Sequence, residues 1–407
     1  MTSIFSRLGV PQEPFYQHRM DEGRGVDEIP ELNQLVRELN EVRSGESTEL
    51  QDAIQLDQWL RTLVSQGGSD LLLVAGAPLC IRVQGEVRRL GSSPLYGADI
   101  EAAVMPALSG HALRVYRENG IADSSYRISG VGRFRVNIHR ERGRTAAAIR
   151  ALPARVPALQ ELHLPAAVAN LARLPRGLVL IGGPAGSGKS TTLSALIHEM
   201  NTREARHILT IEDPIEYEHT HNRSVIEQVE IGTDAPDFPT ALRAALRQAP
   251  DVIVVGEMRD PETMRIAMSA AETGHLVLST LHTTDVASTV ARIVDSFPVE
   301  RQSAVRQELA MALAAVLTQI LLPTRSATRM PAAELLMVGY GARHHIRRNN
   351  LQNLHQEIPL TKRKGSFTLE ESLVTLIRSG EIEREEAQVC AIHPDDLDVL
   401  LRSAAHA

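Results

Sequence analysis

The chain has 407 residues, 43% hydrophobic and 23% charged, with a formal net charge of −7, which suits a soluble globular protein of two or three domains. Aromatic residues are only 3% of the total, which argues against a stacking groove for single strands, and the acidic balance argues against direct nucleic-acid binding. Cys80 and Cys390 are the only cysteines, too few for a disulfide framework or a Cys-x-x-Cys zinc site.

No apolar run approaches the length of a membrane span, and the N-terminus has no secretory core. A cytoplasmic protein is expected, reaching a membrane only through a partner. Residues 1–50 are polar and punctuated by Pro and Gly, an N-terminal extension with one short helical candidate at Leu32–Leu39. Regular structure begins with Leu56, Trp59, Leu60 and Leu63, spaced as one face of a helix that Gly67-Gly68 closes.

Strands are expected at Asp70–Val74, Leu79–Val83 and Gly85–Leu90, then a helix around 98–119, then strands at Ser124–Ile128, Gly132–His139 and Ala146–Ala151. Together, residues 51–152 read as a strand-rich α+β domain. Residues 153–176 carry four prolines and read as a linker with a short helix.

From Gly177 the pattern changes to buried strands separated by helices, the signature of an α/β domain. Strands are expected at 177–182, 207–212, 252–256 and 276–280, with helices at 189–200, 238–248, 260–272 and 284–295. This gives an α/β core over 177–330, and a run of helices from Glu300 makes 331–407 a helical C-terminal region.

The first of these strands ends in Gly183-Pro184-Ala185-Gly186-Ser187-Gly188-Lys189-Ser190, followed by Thr191. This is a complete G-x-x-x-x-G-K-[ST] loop between a strand and a helix, the setting in which backbone N–H groups cradle phosphates. Lys189 is expected to reach the β/γ-phosphates and Ser190 to ligate Mg²⁺. An ATP site is the reading.

The second strand delivers Glu212 and Asp213 before Pro214, placing carboxylates beside the phosphate loop. The third, Val252-Ile253-Val254-Val255, delivers Glu257. A buried strand aiming an acid at Mg²⁺ or the attacking water is Walker-B logic. Glu212 is the expected base for water and Glu257 the expected Mg²⁺-side ligand, although the two roles are exchangeable at this level. His275 and His282 bracket the fourth strand. Their odd spacing puts them on opposite faces, which disfavours a shared metal, and a γ-phosphate-sensing role is expected.

Between Arg127 and Arg150 lie seven arginines and one acid, Glu141. A nucleotide site bounded by a second domain commonly takes an arginine to neutralise phosphoryl charge, so two or three of the seven are expected to function.

The ordered blocks GPAGSGKST, ILTIEDPIEY, ALRAALRQAPDVIVVGEMRD, ETMRIAMSAAETGHLVLSTLHTTD and VARIVDSFPVERQ closely resemble the secretion ATPases of type II and type IV pilus systems, nearest to the PilT-like pilus retraction ATPases. The resemblance runs from about Leu56 to the C-terminus. It implies a PAS-like α+β domain followed by a RecA-like P-loop ATPase domain, a homohexameric ring, and ATP hydrolysis that powers pilus retraction. It also implies an inner-membrane platform protein as mechanical partner, with room for a second retraction-type ATPase. GVGRFRVNIHRERG and AIRALP resemble the family segments whose arginines reach the nucleotide, which selects Arg133, Arg135 and Arg150. Glu212 falls in the acidic box, Glu257 in the Walker-B box, and His275 and His282 in the histidine box.

Assembly and export members usually carry a four-cysteine zinc insert, which two cysteines cannot supply. Retraction members usually carry a C-terminal A-I-R-N-L-I-R-E helix, and the nearest match here is the altered run Ala342–Arg348. A related motor of a type IV secretion or conjugation apparatus, and a nucleotide-binding ring subunit without catalysis, are the alternatives.

Overall fold

A computed structural model of the chain describes residues 55–325 and 328–404. The expected extension, with its helical candidate at Leu32–Leu39, lies outside the described residues.

A first sheet follows a helix over residues 55–65 (α1). Its strands are β1 (Asp70–Leu73), β2 (Leu79–Val83), β3 (Glu86–Leu90), β4 (Ile121–Ile128), β5 (Gly132–Glu141) and β6 (Arg144–Ala151), in the order β3-β2-β1-β6-β5-β4. All neighbours are antiparallel. The alternation predicted from sequence explains the two faces. Leu71, Ile81, Phe134, Val136, Ile138 and Ile149 point into one core with α1 and with helices α2 (Gly97–Val104) and α3 (Gly110–Asn119).

Their neighbours in the chain make a polar face. Arg82, Asp70, Arg150, Arg135 and Ser125 follow one another across the five strands β2, β1, β6, β5 and β4. The single helix expected around 98–119 is two helices. Pro106 and the Ser109 cap of α3 interrupt it, with the Ser109 side chain accepting from Ala112 N–H.

The second sheet contains β7 (Gly177–Gly182), β8 (His207–Glu212), β9 (Val225–Glu230), β10 (Val252–Glu257), β11 (Leu276–Leu281), β12 (Leu313–Pro323) and β13 (Arg329–Met337). Its order is β13-β12-β7-β11-β10-β8-β9, parallel except for β12 with β13. Both faces are buried, which is why the strands read as unbroken apolar runs. Leu178, Leu180, Ile253 and Val255 enter one core, and Val179, Ile181, Val252 and Val254 enter the other. Each fully buried Leu, Ile or Val contributes about 1.5–3 kcal/mol.

The first of these cores is covered by α5 (Phe238–Ala245), α6 (Pro261–Glu272), α7 (Val286–Asp295) and α8 (Val299–Ala312), the second chiefly by α4 (Lys189–Arg203). Asp237, Asp260 and Asp285 cap α5, α6 and α7 by accepting from the third backbone N–H beyond them.

Two expectations change here. The chain beyond Glu300 is not a run of helices, because β12 pairs with β7 and β13 pairs back on β12. The apolar stretch Leu313–Leu322 fits a buried strand or a buried helix equally by periodicity, and tertiary pairing decides. Strand β9 was also unforeseen, and it adds to β8 at the sheet edge. Helices α9 (Tyr340–Arg348), α10 (Leu354–Leu360), α11 (Leu369–Arg378), α12 (Arg384–Cys390) and α13 (Pro394–Ala404) complete the chain. No helix among the described residues is long and apolar enough to cross a membrane.

Candidate active site

The phosphate loop leaves β7 at the C-terminal edge of the parallel strands and enters α4. Two glycines in it are geometrically required. A Cβ on Gly183 would stand 2.5 Å from the Gln319 carbonyl oxygen, and Gly188 caps α4 with φ +87°. Gln319, on the unforeseen strand β12, holds the loop by donating from Nε2 to Ser187 O at 2.7 Å.

Lys189 is only 7% exposed. Its Nζ donates to Gly183 O (2.8 Å) and Pro184 O (2.9 Å). Burial pushes its pKa down, while the charges of Glu257 and Glu216 push the other way. A buried ammonium held by two carbonyls, with no carboxylate in direct contact, is a cation prepared for an anionic ligand.

Glu257 ends β10, after a register irregularity against β11 between Val255 and Glu257. Such irregularities re-aim side chains next to active sites. Its Oε2 accepts from Arg259 Nε (3.0 Å) and Nη2 (2.9 Å), and its Oε1 lies 3.4 Å from His282 Nε2. On its other side, His282 Nδ1 lies 3.4 Å from Lys189 Nζ. One imidazole thus bridges the lysine and the acid.

Glu212 ends β8 half-buried at the cleft wall, accepting from Thr210 Oγ1 (2.7 Å) and Gln228 Nε2 (3.3 Å). Burial raises its pKa above the usual carboxylate range, with the two hydrogen bonds opposing.

These groups border one cleft of about 510 Å³, within the range of small-molecule sites. Lys189, Ser190, Glu212, Glu257 and His282 line it from the second sheet, and Arg135 and Arg150 close it from the first.

Residues 145–391 match the family model described as "Type II/IV secretion system protein". The chain belongs to the type II/IV secretion system protein family. It is 39% identical over 343 residues to the type IV pilus retraction ATPase PilT of Pseudomonas aeruginosa, an alignment covering 84% of this chain and all of that protein. Among solved structures it is similar to the pilus retraction motor PilT with bound ADP (40% identity, TM-score 0.76, covering 83% of this chain and 97% of that one). It is also similar to the ATPase DotB of Legionella pneumophila (27% identity, TM-score 0.73, covering 83% and 95%).

Within this family the chain is a P-loop ATPase, and an adenine nucleotide is the ligand its loop suits. Not every residue expected at the site is there. His275 precedes β11, at the end of that strand opposite the loop, and its Nδ1 lies 3.0 Å from Ala270 O. Four strand residues, 276–279, of about 3.3 Å each separate it from Thr280, where β11 first lines the cleft. It holds the end of α6 rather than sensing a phosphate.

Arg133 also stays out of the cleft. Its guanidinium donates to Ile215 O (2.8 Å) and Glu230 Oε2 (2.9 Å), and lies 3.5 Å from Glu218. The residue is spent as a tie between the first sheet and the acidic turn.

Arg150 is anchored by donating to Asp70 Oδ1 at 2.8 Å, and Arg135 lies 3.3 Å from Asp123. The Asp70 carboxyl is held below its ordinary range: burial is the largest influence and works against the charge, and the hydrogen bonds from Arg150 and Ser69 together with the charges of Arg150 and Arg82 outweigh it.

Thr210, Gln228, Arg259 and Gln319 had no signal as motifs. Only Arg259, two residues after the Walker-B acid, was detectable by position.

Proposed function

We propose that this chain is an ATP-hydrolysing motor subunit of a homohexameric ring that powers type IV pilus retraction. It would work at the cytoplasmic face of the inner membrane, through a platform protein and alongside a second retraction-type ATPase. The observation that carries the catalytic reading is the convergence of Lys189, Glu212 and Glu257 on one cleft at the C-terminal edge of a parallel sheet. The order β12-β7-β11-β10-β8, with one strand between the phosphate loop and the Walker-B acid, supports a RecA-like core. The antiparallel first sheet supports a PAS-like partner.

In this reading the loop N–H groups and Lys189 hold the phosphates, with Lys189 exchanging its two carbonyl partners for phosphate oxygens. The hydroxyl of Ser190 and the carboxylate of Glu257 are hard oxygen donors at the same cleft, a set that fits Mg²⁺. Bound there, the ion would neutralise phosphate charge. His282 keeps Glu257 and Lys189 in register, and Arg259 fixes the Glu257 rotamer.

Glu212 takes a proton from the attacking water, and burial makes it a stronger base than an ordinary carboxylate. Arg135 and Arg150 come from the first sheet to the same cleft, so motion of one sheet against the other changes the charge facing the γ-phosphate.

The family description, "Type II/IV secretion system protein", favours a second reading, a motor of a type IV secretion apparatus with the same chemistry. Complementation separates them. Retraction is supported if the wild-type gene, and not Lys189→Ala, restores twitching to a retraction-deficient pilus strain. Failure there with rescue of a secretion-defective strain selects the second reading.

A further inference from the structure

Apart from the nucleotide cleft, chemistry-bearing side chains converge where four C-terminal elements meet. His355 lies on α10, His393 and Asp396 at the start of α13, Glu334 on β13 and Glu370 on α11. His355 Nε2 lies 3.8 Å from Asp396 Oδ2, and its Nδ1 lies 3.6 Å from Glu334 Oε2. The rings of His355 and His393 are 3.9 Å apart between centroids. One ligand atom from each of His355, His393 and Asp396 lies within 4.8 Å of the other two.

Two carboxylates stand behind this trio, and both are buried: Glu334 is 2% exposed and Glu370 is 0% exposed. Glu370 accepts from His393 N–H at 2.9 Å, while its Oε2 is buried without a hydrogen-bond partner. Among the described residues, the ion-pair partner of Glu334 and Asp396 is His355, and no lysine or arginine pairs with Glu334, Glu370 or Asp396. Buried carboxylates need compensating positive charge. An imidazolium supplies one unit and a divalent cation two.

We propose that His355, His393 and Asp396 form a zinc-type transition-metal site that fastens the first turn of α13 to α10. Two imidazole nitrogens and a carboxylate oxygen are a donor set that zinc accepts, with water or a further carboxylate in the fourth position. His393 and Asp396 are three residues apart at a helix start, where His393 O accepts from Leu397 N–H, so both reach the same side of the first turn. Glu334 beside Nδ1 of His355 is the outer carboxylate that fixes a metal-binding imidazole and leaves Nε2 toward Asp396.

Ligand atoms on one zinc ion sit about 3.3 Å apart, so the trio must contract. Asp396, with 62% of its side chain exposed, has the freedom to move. The site would clamp the C-terminal helix to Glu334, which also accepts from Val286 N–H at the start of α7.

The test uses the untagged full-length chain, stripped with chelator and free of nucleotide, titrated with Zn²⁺ and with Co²⁺ as a spectroscopic probe. The expected result is one high-affinity zinc per chain and a cobalt spectrum with nitrogen ligands. Both should be lost in His355→Ala/His393→Ala and kept in Lys189→Ala. Asp396→Asn, at an exposed position that leaves the fold intact, should weaken zinc binding at least about tenfold, and Glu334→Gln by about 10- to 100-fold. Chelator should lower the melting temperature of wild type and leave Asp396→Asn unmoved. Zinc uptake no greater in wild type than in Asp396→Asn, or a cobalt spectrum that survives the double substitution, would overturn the proposal. A melting temperature that responds to pH and not to zinc would assign the cluster to an imidazolium and overturn it equally.

Discussion

Glu212 and Glu230 are register partners at the ends of the adjacent parallel strands β8 and β9. Glu212 turns to the nucleotide cleft, while Glu230 accepts from Ser125 and Arg133 of the first sheet and from the Ile215 backbone. The acidic turn is therefore tied to both sheets at its base. Arg133 and Glu230 have only 13% and 6% of their side chains exposed. Arg133→Ala should thus leave a mostly buried carboxylate short of its charge partner and destabilise by about 3 kcal/mol. Denaturant unfolding of the full chain measures this, and a change within about 0.5 kcal/mol would make the tie an ordinary surface pair.

Lys189→Ala should abolish ATP turnover and weaken nucleotide binding, because the loop loses the one buried ammonium facing the phosphates. Steady-state phosphate release with a fluorescent-nucleotide titration checks both.

Arg135→Ala and Arg150→Ala should each lower turnover by tenfold or more, on the order of what one charge-stabilising donor contributes. Lysine at either position should rescue incompletely, since a point charge cannot reproduce the planar fork. Arg133→Lys, by contrast, should retain most activity, because its contacts lie outside the cleft. Mixing either alanine variant with Lys189→Ala subunits distinguishes supply within a subunit from supply across a ring: restored turnover in mixed rings places the arginine in trans.

The acid limb of the pH–rate profile should report Glu212. Its folded pKa is raised, so the basic form is populated only above that raised value, and turnover should climb with pH through it. Stability has the opposite sign: the contribution of protonated, half-buried Glu212 is present at low pH and is lost as pH rises through the folded pKa. Thr210→Val removes a hydrogen bond that favours the charged form, and should move the limb to still higher pH. A limb that stays in place would show that another group is the base.

The phosphate loop, the Walker-B strand and most of the helices between them were legible in the sequence because their signals are local. Glycines at fixed offsets, apolar runs and aspartate caps need only neighbours in the chain to be read. His275 shows where such reading stops. Two histidines bracketing one strand look equivalent, yet only the one after β11 reaches the loop edge. Arg133 shows a second limit, since strand alternation puts Arg133 and Arg135 on one face without saying which meets a carboxylate first. Gln319 and Gln228 were invisible because β12 and β9 owe their place to pairing with β7 and β8, and strand pairing between distant segments leaves little periodic trace.

The most direct test of the account compares steady-state phosphate release and nucleotide binding for wild type, Glu212→Gln and Glu257→Gln under identical Mg²⁺ and ATP. An amide keeps the shape of each acid and loses its charge, so binding should be largely kept while hydrolysis falls by about two to four orders of magnitude. Wild-type turnover at background, or turnover unchanged by either substitution, would contradict the reading of this cleft as the catalytic centre of a motor.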